Sequence, residues 1–321
     1  MAINLITGIT GQDGYILAKQ LLELNQRVIG ATRTQKFYND SLDDLKLHNK
    51  FELVDLDVSN RTAVERIIEK YVPDFIYHLA GYTSGSGMYD LPHEMAMING
   101  LVTVNFLEAI RNFSPQSRMV FASSSEIFGF TNETPQNEKS ICMPRSPYGA
   151  AKLYSQNMLD IWRHKYGLNL KSAILYNHES DRRSDRFVSK KIVKAAVNIS
   201  LGLQDKLRLG DLSAKRDWGY APDFTYAMRK IAEAEINENF IVASGISRTV
   251  GELCKITFQH VGLDYTNFVI NDSNLIRNGE KIELVGDTNK IKTLLNWSPS
   301  VPIEQWTKKM IDAEMQRVTN K

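Results

Sequence analysis

Three glycines near the start of the chain constrain its fold more than any other feature: Gly8, Gly11 and Gly14, in the run Thr7-Gly-Ile-Thr-Gly-Gln-Asp-Gly14. An apolar stretch, Asn4–Thr7, precedes them, and the amphipathic stretch Gln12–Leu24 follows, so they occupy a strand-to-helix turn. Glycine lets such a turn close tightly and lets backbone N–H groups at the helix start approach a pyrophosphate. The GxxGxxG spacing is one residue longer at its first gap than the dinucleotide fingerprint, and glycines also punctuate ordinary turns. The strand–turn–helix setting selects the cofactor reading.

The alternation continues downstream. Arg27–Ala31, Phe51–Asp55, Asp74–Leu79, Arg118–Ser123 and Lys171–Tyr176 read as strands. A helix is expected over Ser59–Tyr71, capped by Ser59 or Asn60, and a long one across His93–Asn112. The strands are apolar on both faces, as in a parallel sheet covered on each side. The expected class is therefore α/β, a Rossmann-type doubly wound parallel sheet. Beyond about residue 177 the texture changes: Ser180–Lys191 is dense in charge, and short strands (Phe240–Ala243, Asn267–Ile270) mix with helices (Val250–Val261, Pro302–Met315). This divides the chain into a dinucleotide-binding part, 1–176, and a smaller mixed α/β substrate domain, 177–321, with a return to the first part around 235–245.

The end of the second strand distinguishes the two nicotinamide cofactors. An NAD enzyme places a carboxylate there for the ribose 2′-hydroxyl. This chain has Ala31-Thr32-Arg33-Thr34 and no acid before Asp40. Arg33 suits the 2′-phosphate of NADP through charge and through stacking on adenine; a solvated surface arginine is the plainer reading.

A second constellation is Ser123-Ser-Ser-Glu126 after a strand, followed by Tyr148 and Lys152. A Tyr and a Lys four apart share a helix face. An ammonium beside a phenol favours the phenolate, so Lys152 is expected to lower the Tyr148 pKa towards that of a general base, while Ser124 bonds the reacting oxygen. In a chain with 13 tyrosines the YxxxK pattern says little alone; its place after a serine-bearing strand end gives it weight.

Other classes find little support. The chain of 321 residues carries a formal charge of +2 with 43% hydrophobic and 24% charged residues, an ordinary globular composition without reason to expect nucleic acid or a membrane surface. Two distant cysteines, Cys142 and Cys254, fit the reducing cytoplasm, and the six histidines form no HxxxH pair, so no metal is expected. No apolar run has membrane-spanning length. Ala2–Ile6 runs directly into the glycine turn without a charged leader segment, so no signal peptide is expected.

The chain resembles the extended short-chain dehydrogenase/reductases, and most closely the GDP-mannose 4,6-dehydratase family. The resemblance is carried by Gly8–Gly14, Ser123–Gly129, Arg145-Ser-Pro-Tyr-Gly-Ala-Ala-Lys152, Asn177-His-Glu-Ser180, Phe187–Ile192 and Arg216-Asp-Trp-Gly219. It implies catalysis by Ser124, Glu126, Tyr148 and Lys152. Cofactor contacts would fall on Gly8, Thr10, Gly11, Gln12, Asp13, Gly14, Arg33, Asp55, Leu56, Leu79, Ala80, Gly81, Thr83, Tyr148, Lys152, His178 and Arg183. Nucleotide-sugar contacts would fall on Ser124, Asn177, Lys191, Arg216 and Arg277; a solvated charged loop is the plainer reading of residues 182–191. The implied activity is NADP-dependent conversion of a nucleotide sugar, GDP-mannose or a close relative, to its 4-keto-6-deoxy form by a homodimer or homotetramer, with Thr34–Asp44 reaching a neighbouring subunit. A 4-keto-sugar reductase or dehydrogenase on the same scaffold, and a non-catalytic NADP-binding regulatory protein, are the alternatives. Three departures bear on the sugar: Ser124 replaces the family's threonine, Thr83-Ser-Gly-Ser-Gly-Met88 replaces its Ser-His-Val loop, and Glu94 stands at a tyrosine position.

Overall fold

The computed structural model describes residues 1–33, 42–83, 89–275 and 283–320. Its centre is a parallel sheet of seven strands in the order β10 (Phe240–Val242), β6 (Asn169–Leu175), β5 (Arg118–Ser124), β4 (Phe75–His78), β1 (Ile3–Thr7), β2 (Arg27–Thr32) and β3 (Phe51–Asp55). The order reverses direction between β1 and β4. A crevice opens at such a switch point, outside the carboxyl ends of the strands. Pairing of Thr7 with Ala31 and with His78 brings the ends of β1, β2 and β4 level there.

Each central strand feeds two cores, which is why it reads as apolar throughout. Ile6, Val28, Tyr77 and Val120 face one side with α1 (Gln12–Glu23) and α8 (Ala221–Glu233); Leu5, Ile29, Ile76 and Met119 face the other with α3 (Arg61–Tyr71), α5 (Val102–Phe113) and α6 (Pro147–Tyr166). All eight strand residues are fully buried. Burial of a large aliphatic side chain contributes about 1.5–3 kcal/mol, so the two-sided pattern dominates the stability of this sheet.

Local signals set the helix starts. Asn60 caps α3, its side chain accepting from the Ala63 N–H, and Ser146 caps α6 by accepting from the Gly149 N–H with Pro147 in the first turn. The helix expected across 93–112 is not regular. α4 (Pro92–Ala96) runs through one wide turn, Met97–Leu101, into α5. At that turn the Asn99 amide accepts from the Tyr82 N–H and donates to the Tyr82 carbonyl, an exchange no local pattern records.

After β6 the chain builds a three-stranded sheet from β7 (Asn177–Glu179), β9 (Lys215–Tyr220) and β11 (Ser247–Thr249), and a two-stranded one from β8 (Leu207–Leu209) and β12 (Val269–Asn271). A third core joins α7 (Val188–Ser200), α9 (Val250–Gln259) and α11 (Ile303–Thr319) around Trp218, Phe258 and Trp306. Asp217 ties β9 back to the main body, accepting from the backbone N–H groups of Ser244, Gly245 and Gly286. Two short helices, α2 (Asp43–Lys46) and α10 (Asn289–Leu295), complete the fold. Among the described residues no helix is long and apolar enough to cross a membrane.

Candidate active site

The switch-point crevice holds two neighbouring cavities that share Gly81 and Tyr82. The first lies over the glycine turn. Gly8 has φ +72° there, and a Cβ on it would sit 2.9 Å from the Ala80 backbone nitrogen; a Cβ on Gly14 would lie 2.4 Å from the Gly8 carbonyl oxygen. Only glycine permits this approach of three main-chain segments. Gly11 occupies the cap position of α1 without a side-chain cap, as expected of a helix start that receives an anion. Gly8, Thr10, Arg33, Leu56, Ala80 and Gly81 line this cavity, with Ala31 and Thr32 from the strand end beside Arg33, Tyr82 from the stretch after β4, and Val58 and Ile98, which no motif singled out. Their signal is tertiary: Ile98 comes from the wide turn before α5 and Val58 from the loop after β3. Asp55 ends β3 as an exposed residue outside the lining. These residues fit a dinucleotide: a glycine cradle for the pyrophosphate, an apolar slot for adenine and a cation at the ribose end.

The turn is pinned by a residue from the second half of the chain. His178 on β7 places Nε2 2.9 Å from the Asp13 carboxylate and Nδ1 2.6 Å from the Tyr176 carbonyl oxygen. Both facing atoms are acceptors, so both ring nitrogens donate and the imidazole is charged. Burial works against ionisation of both groups, but Asp13's charge and hydrogen bond raise the His178 pKa overall, and His178 lowers that of Asp13. Gln12 completes the clasp, donating to the His178 carbonyl and accepting from the Ser180 hydroxyl.

The second cavity is lined by Asp13, Leu79, Thr83, Ser124, Tyr148, Lys152, Asn177, His178 and Arg183, besides the shared pair and neighbouring residues. The capped start of α6 puts Tyr148 in its first turn and Lys152 one turn on; both are buried, as is Ser124 at the end of β5. The Ser124 hydroxyl lies close enough to Tyr148 to lower its pKa. The expected effect of the lysine is not seen. Burial pushes Tyr148 up to about 12, and its main lowering partner is Ser124. Lys152 donates to the Ala122 carbonyl at 2.8 Å, with its ammonium 5.8 Å from the Tyr148 ring centre, and burial brings it down to about 8. Its hydrogen bond commits the ammonium to the strand, and Lys152 is not among the charges that lower Tyr148.

Glu126 follows on the single turn Ser125–Ile127. It is outside the cavity lining but near enough for its charge to raise the Tyr148 pKa. Arg145 grips it, Nη2 lying 3.2 Å from Oε1 and Nε 3.3 Å from Oε2. Arg183 pairs with buried Glu179 at 3.1 Å and lies 3.6 Å over the Phe187 ring. Asn177 reaches the cavity. Arg216, half-buried on β9, donates to the Lys215 carbonyl, and Lys191 is exposed on α7; neither lines either cavity. The buried lysine of that pair is Lys190, bonded to Glu314 and the Asp181 carbonyl. Arg277, Ser84–Met88 and Thr34–Ser41 lie outside the described residues. Among the described residues no group of His, Cys, Asp and Glu is placed to hold a metal ion.

Comparison with known proteins gives consistent likenesses. The profile of a family described as GDP-mannose 4,6 dehydratase matches residues 5–310. GDP-mannose 4,6 dehydratase 1 of Arabidopsis thaliana is 35% identical, over 98% of this chain and 90% of its own length. Among solved structures, RMD from Pseudomonas aeruginosa complexed with NADPH superposes with a TM-score of 0.82 at 22% identity, covering 99% of this chain and 100% of that one. The dTDP-glucose 4,6-dehydratase of Bacillus anthracis, in complex with NAD, gives a TM-score of 0.86 at 18% identity, covering 99% and 98%. At these identities the structural likeness concerns the fold.

Proposed function

The chain belongs to the GDP-mannose 4,6-dehydratase family and is a nucleotide-sugar 4,6-dehydratase of the extended short-chain dehydrogenase/reductase type, and from that premise we propose that it converts GDP-mannose, or a close relative, to the 4-keto-6-deoxy sugar with NADP. The observation that carries the reading is the sharing of Gly81 and Tyr82 between the cavity over the glycine turn and the cavity lined by Ser124, Tyr148 and Lys152. One accommodates a dinucleotide and the other a sugar at its nicotinamide end.

When bound, NADP supplies an acceptor for the C4 hydride and the source from which it returns to C6. The chain's own residues handle the protons. Ser124 orients the C4 hydroxyl and Tyr148 takes its proton, the nearby Ser124 hydroxyl already opposing the upward push of burial. The C4 ketone acidifies C5–H. Glu126 accepts that proton and, with Ser124 assisting, returns it to the C6 hydroxyl, which leaves as water. Lys152 fixes the nicotinamide ribose. Arg33 favours NADP by answering the 2′-phosphate at the first cavity, after a strand end with no acid before Asp40 in the sequence. Residues 177–321 form chiefly the nucleotide-sugar half, with Asn177 in the cavity, Lys191 and Arg216 as diphosphate ligands and Arg277 as a further nucleotide-sugar contact.

The working form is a homodimer or homotetramer in the cytoplasm. Its support is apolar side chains exposed along α6 and the wide turn before α5: Tyr154, Ile161, Met97 and Leu101 are 38%, 53%, 36% and 47% exposed. Exposed side chains of this kind on packed helical segments suit a second copy.

The test is a panel of nucleotide sugars, scoring loss of one water by mass against net NADPH change. The proposal expects water loss from a GDP-hexose without net NADPH change; net turnover would move the assignment to a reductase or dehydrogenase. Glu126→Gln should retain C4 oxidation, lose elimination by roughly two to four orders of magnitude and accumulate bound NADPH. Elimination at the wild-type rate in that variant would remove Glu126 as the base.

A further inference from the structure

Arg145 stands beside the reacting groups without a part in the chemistry above. Its side chain is only 6% exposed and that of Glu126 14%, so the fork between them is largely withdrawn from water. Two nitrogens of one guanidinium meet two oxygens of one carboxylate, a planar arrangement that lysine cannot reproduce. The backbone around the pair is held as well. The Tyr89 hydroxyl donates to the Arg145 carbonyl at 3.1 Å, and the next residue, Ser146, caps the helix that carries Tyr148. A carboxylate on a short turn otherwise rotates freely about its last torsion. The fork fixes its plane.

We propose that Arg145 is a positioning residue for the elimination step: it holds the Glu126 carboxylate in one plane, so that the same group takes the C5 proton and delivers it to the C6 oxygen. This rests on the dehydratase reading and deepens it. A carboxylate has about four lone-pair sites. The guanidinium uses one on each oxygen, leaving one on each for the sugar. As C5–H breaks, the proton passes to a Glu126 oxygen and its electron pair forms the C5–C6 double bond. The C6–O bond breaks, and the departing hydroxyl takes the proton from Glu126 and leaves as water. Glu126 returns to the carboxylate, and Arg145 keeps all its protons throughout. C4 oxidation, which belongs to Tyr148 and Ser124, does not need the fork.

The experiment uses full-length Arg145→Lys and Arg145→Met loaded with NADP, mixed rapidly with GDP-mannose. NADPH absorbance reports C4 oxidation and mass spectrometry reports water loss. Arg145→Lys should oxidise C4 at the wild-type rate and lose water about 10²-fold more slowly, the usual consequence of a misplacement near 1 Å, so that bound NADPH accumulates. Arg145→Met added to Glu126→Gln should cost no further elimination rate, because Arg145 acts only through the Glu126 carboxylate. Equal slowing of both steps would assign Arg145 to holding the helix that carries Tyr148 and would overturn the proposal. So would wild-type elimination in Arg145→Met, or losses that multiply in the double variant. If the wild-type enzyme removes water from no nucleotide sugar, the dehydratase reading itself fails, a result visible before any variant is made.

Discussion

Gly149 offers a way to displace Glu126 without altering its charge. A Cβ built on Gly149 would lie 2.4 Å from the Glu126 carbonyl oxygen, 3.1 Å from its carbonyl carbon and 3.2 Å from the Pro144 Cβ. Ordinary contacts of a Cβ begin near 3.4 Å, so Gly149→Ala requires about 1 Å of movement. The nearest atoms are main chain, so no side-chain rotation absorbs it. Either the Ser125–Ile127 turn retreats or the start of α6 lifts, and in both cases Glu126 changes position relative to Tyr148. The expected cost is about 10²-fold in kcat/KM and about 1–3 kcal/mol of stability, as for other overpacked sites. Water loss from GDP-mannose followed by mass and thermal unfolding measure the two effects. Gly100→Ala is the control: its Cβ would meet nothing closer than Tyr154 Cδ1 at 3.5 Å, and the activity should stay within about twofold of wild type. Wild-type kcat/KM for Gly149→Ala would refute the claim that the Glu126 backbone position limits the reaction.

Three further outcomes are expected. Arg33→Ala should weaken NADP binding far more than NAD binding by calorimetry, since only NADP has a 2′-phosphate to lose; equal losses would make Arg33 a surface residue. The His178–Asp13 pair should make stability pH-dependent. With His178 raised, its contribution is complete below the ordinary imidazole value of 6.5 and is lost as pH rises through the folded value; with Asp13 lowered, its contribution persists above 3.8 and is lost as pH falls through its folded value. The Tm difference between wild type and His178→Gln, measured from about pH 5 to pH 9, should therefore narrow towards alkaline pH, and a constant difference would refute the charged pair. Ile161→Asp places a charge in the exposed stripe and should yield monomers by sedimentation at micromolar protein; an unchanged assembly would locate the contact elsewhere.

What the sequence determined by itself was local or periodic. The glycine turn, the two-sided apolar strands, a polar cap at 59 or 60 and the four-residue step from Tyr148 to Lys152 follow from backbone geometry and nearest neighbours, and the structure contains all of them, the cap at Asn60. Only the tertiary structure decided where charges point and which distant groups they meet. His178 and Asp13 are 165 residues apart in the chain. Asp217, the acid of a motif read as ligand-binding, gathers backbone N–H groups from two remote loops. Lys152 is a stride from Tyr148 on one helix face, yet its ammonium takes the Ala122 carbonyl of the adjoining strand. The Arg145–Glu126 fork closes across a 19-residue excursion that begins at a strand end and finishes at a helix cap. Spacing tells which side chains share a face of their own element. The direction of a long flexible charged side chain is set by the nearest unsatisfied acceptor in a buried setting, and packing of other elements supplies that acceptor.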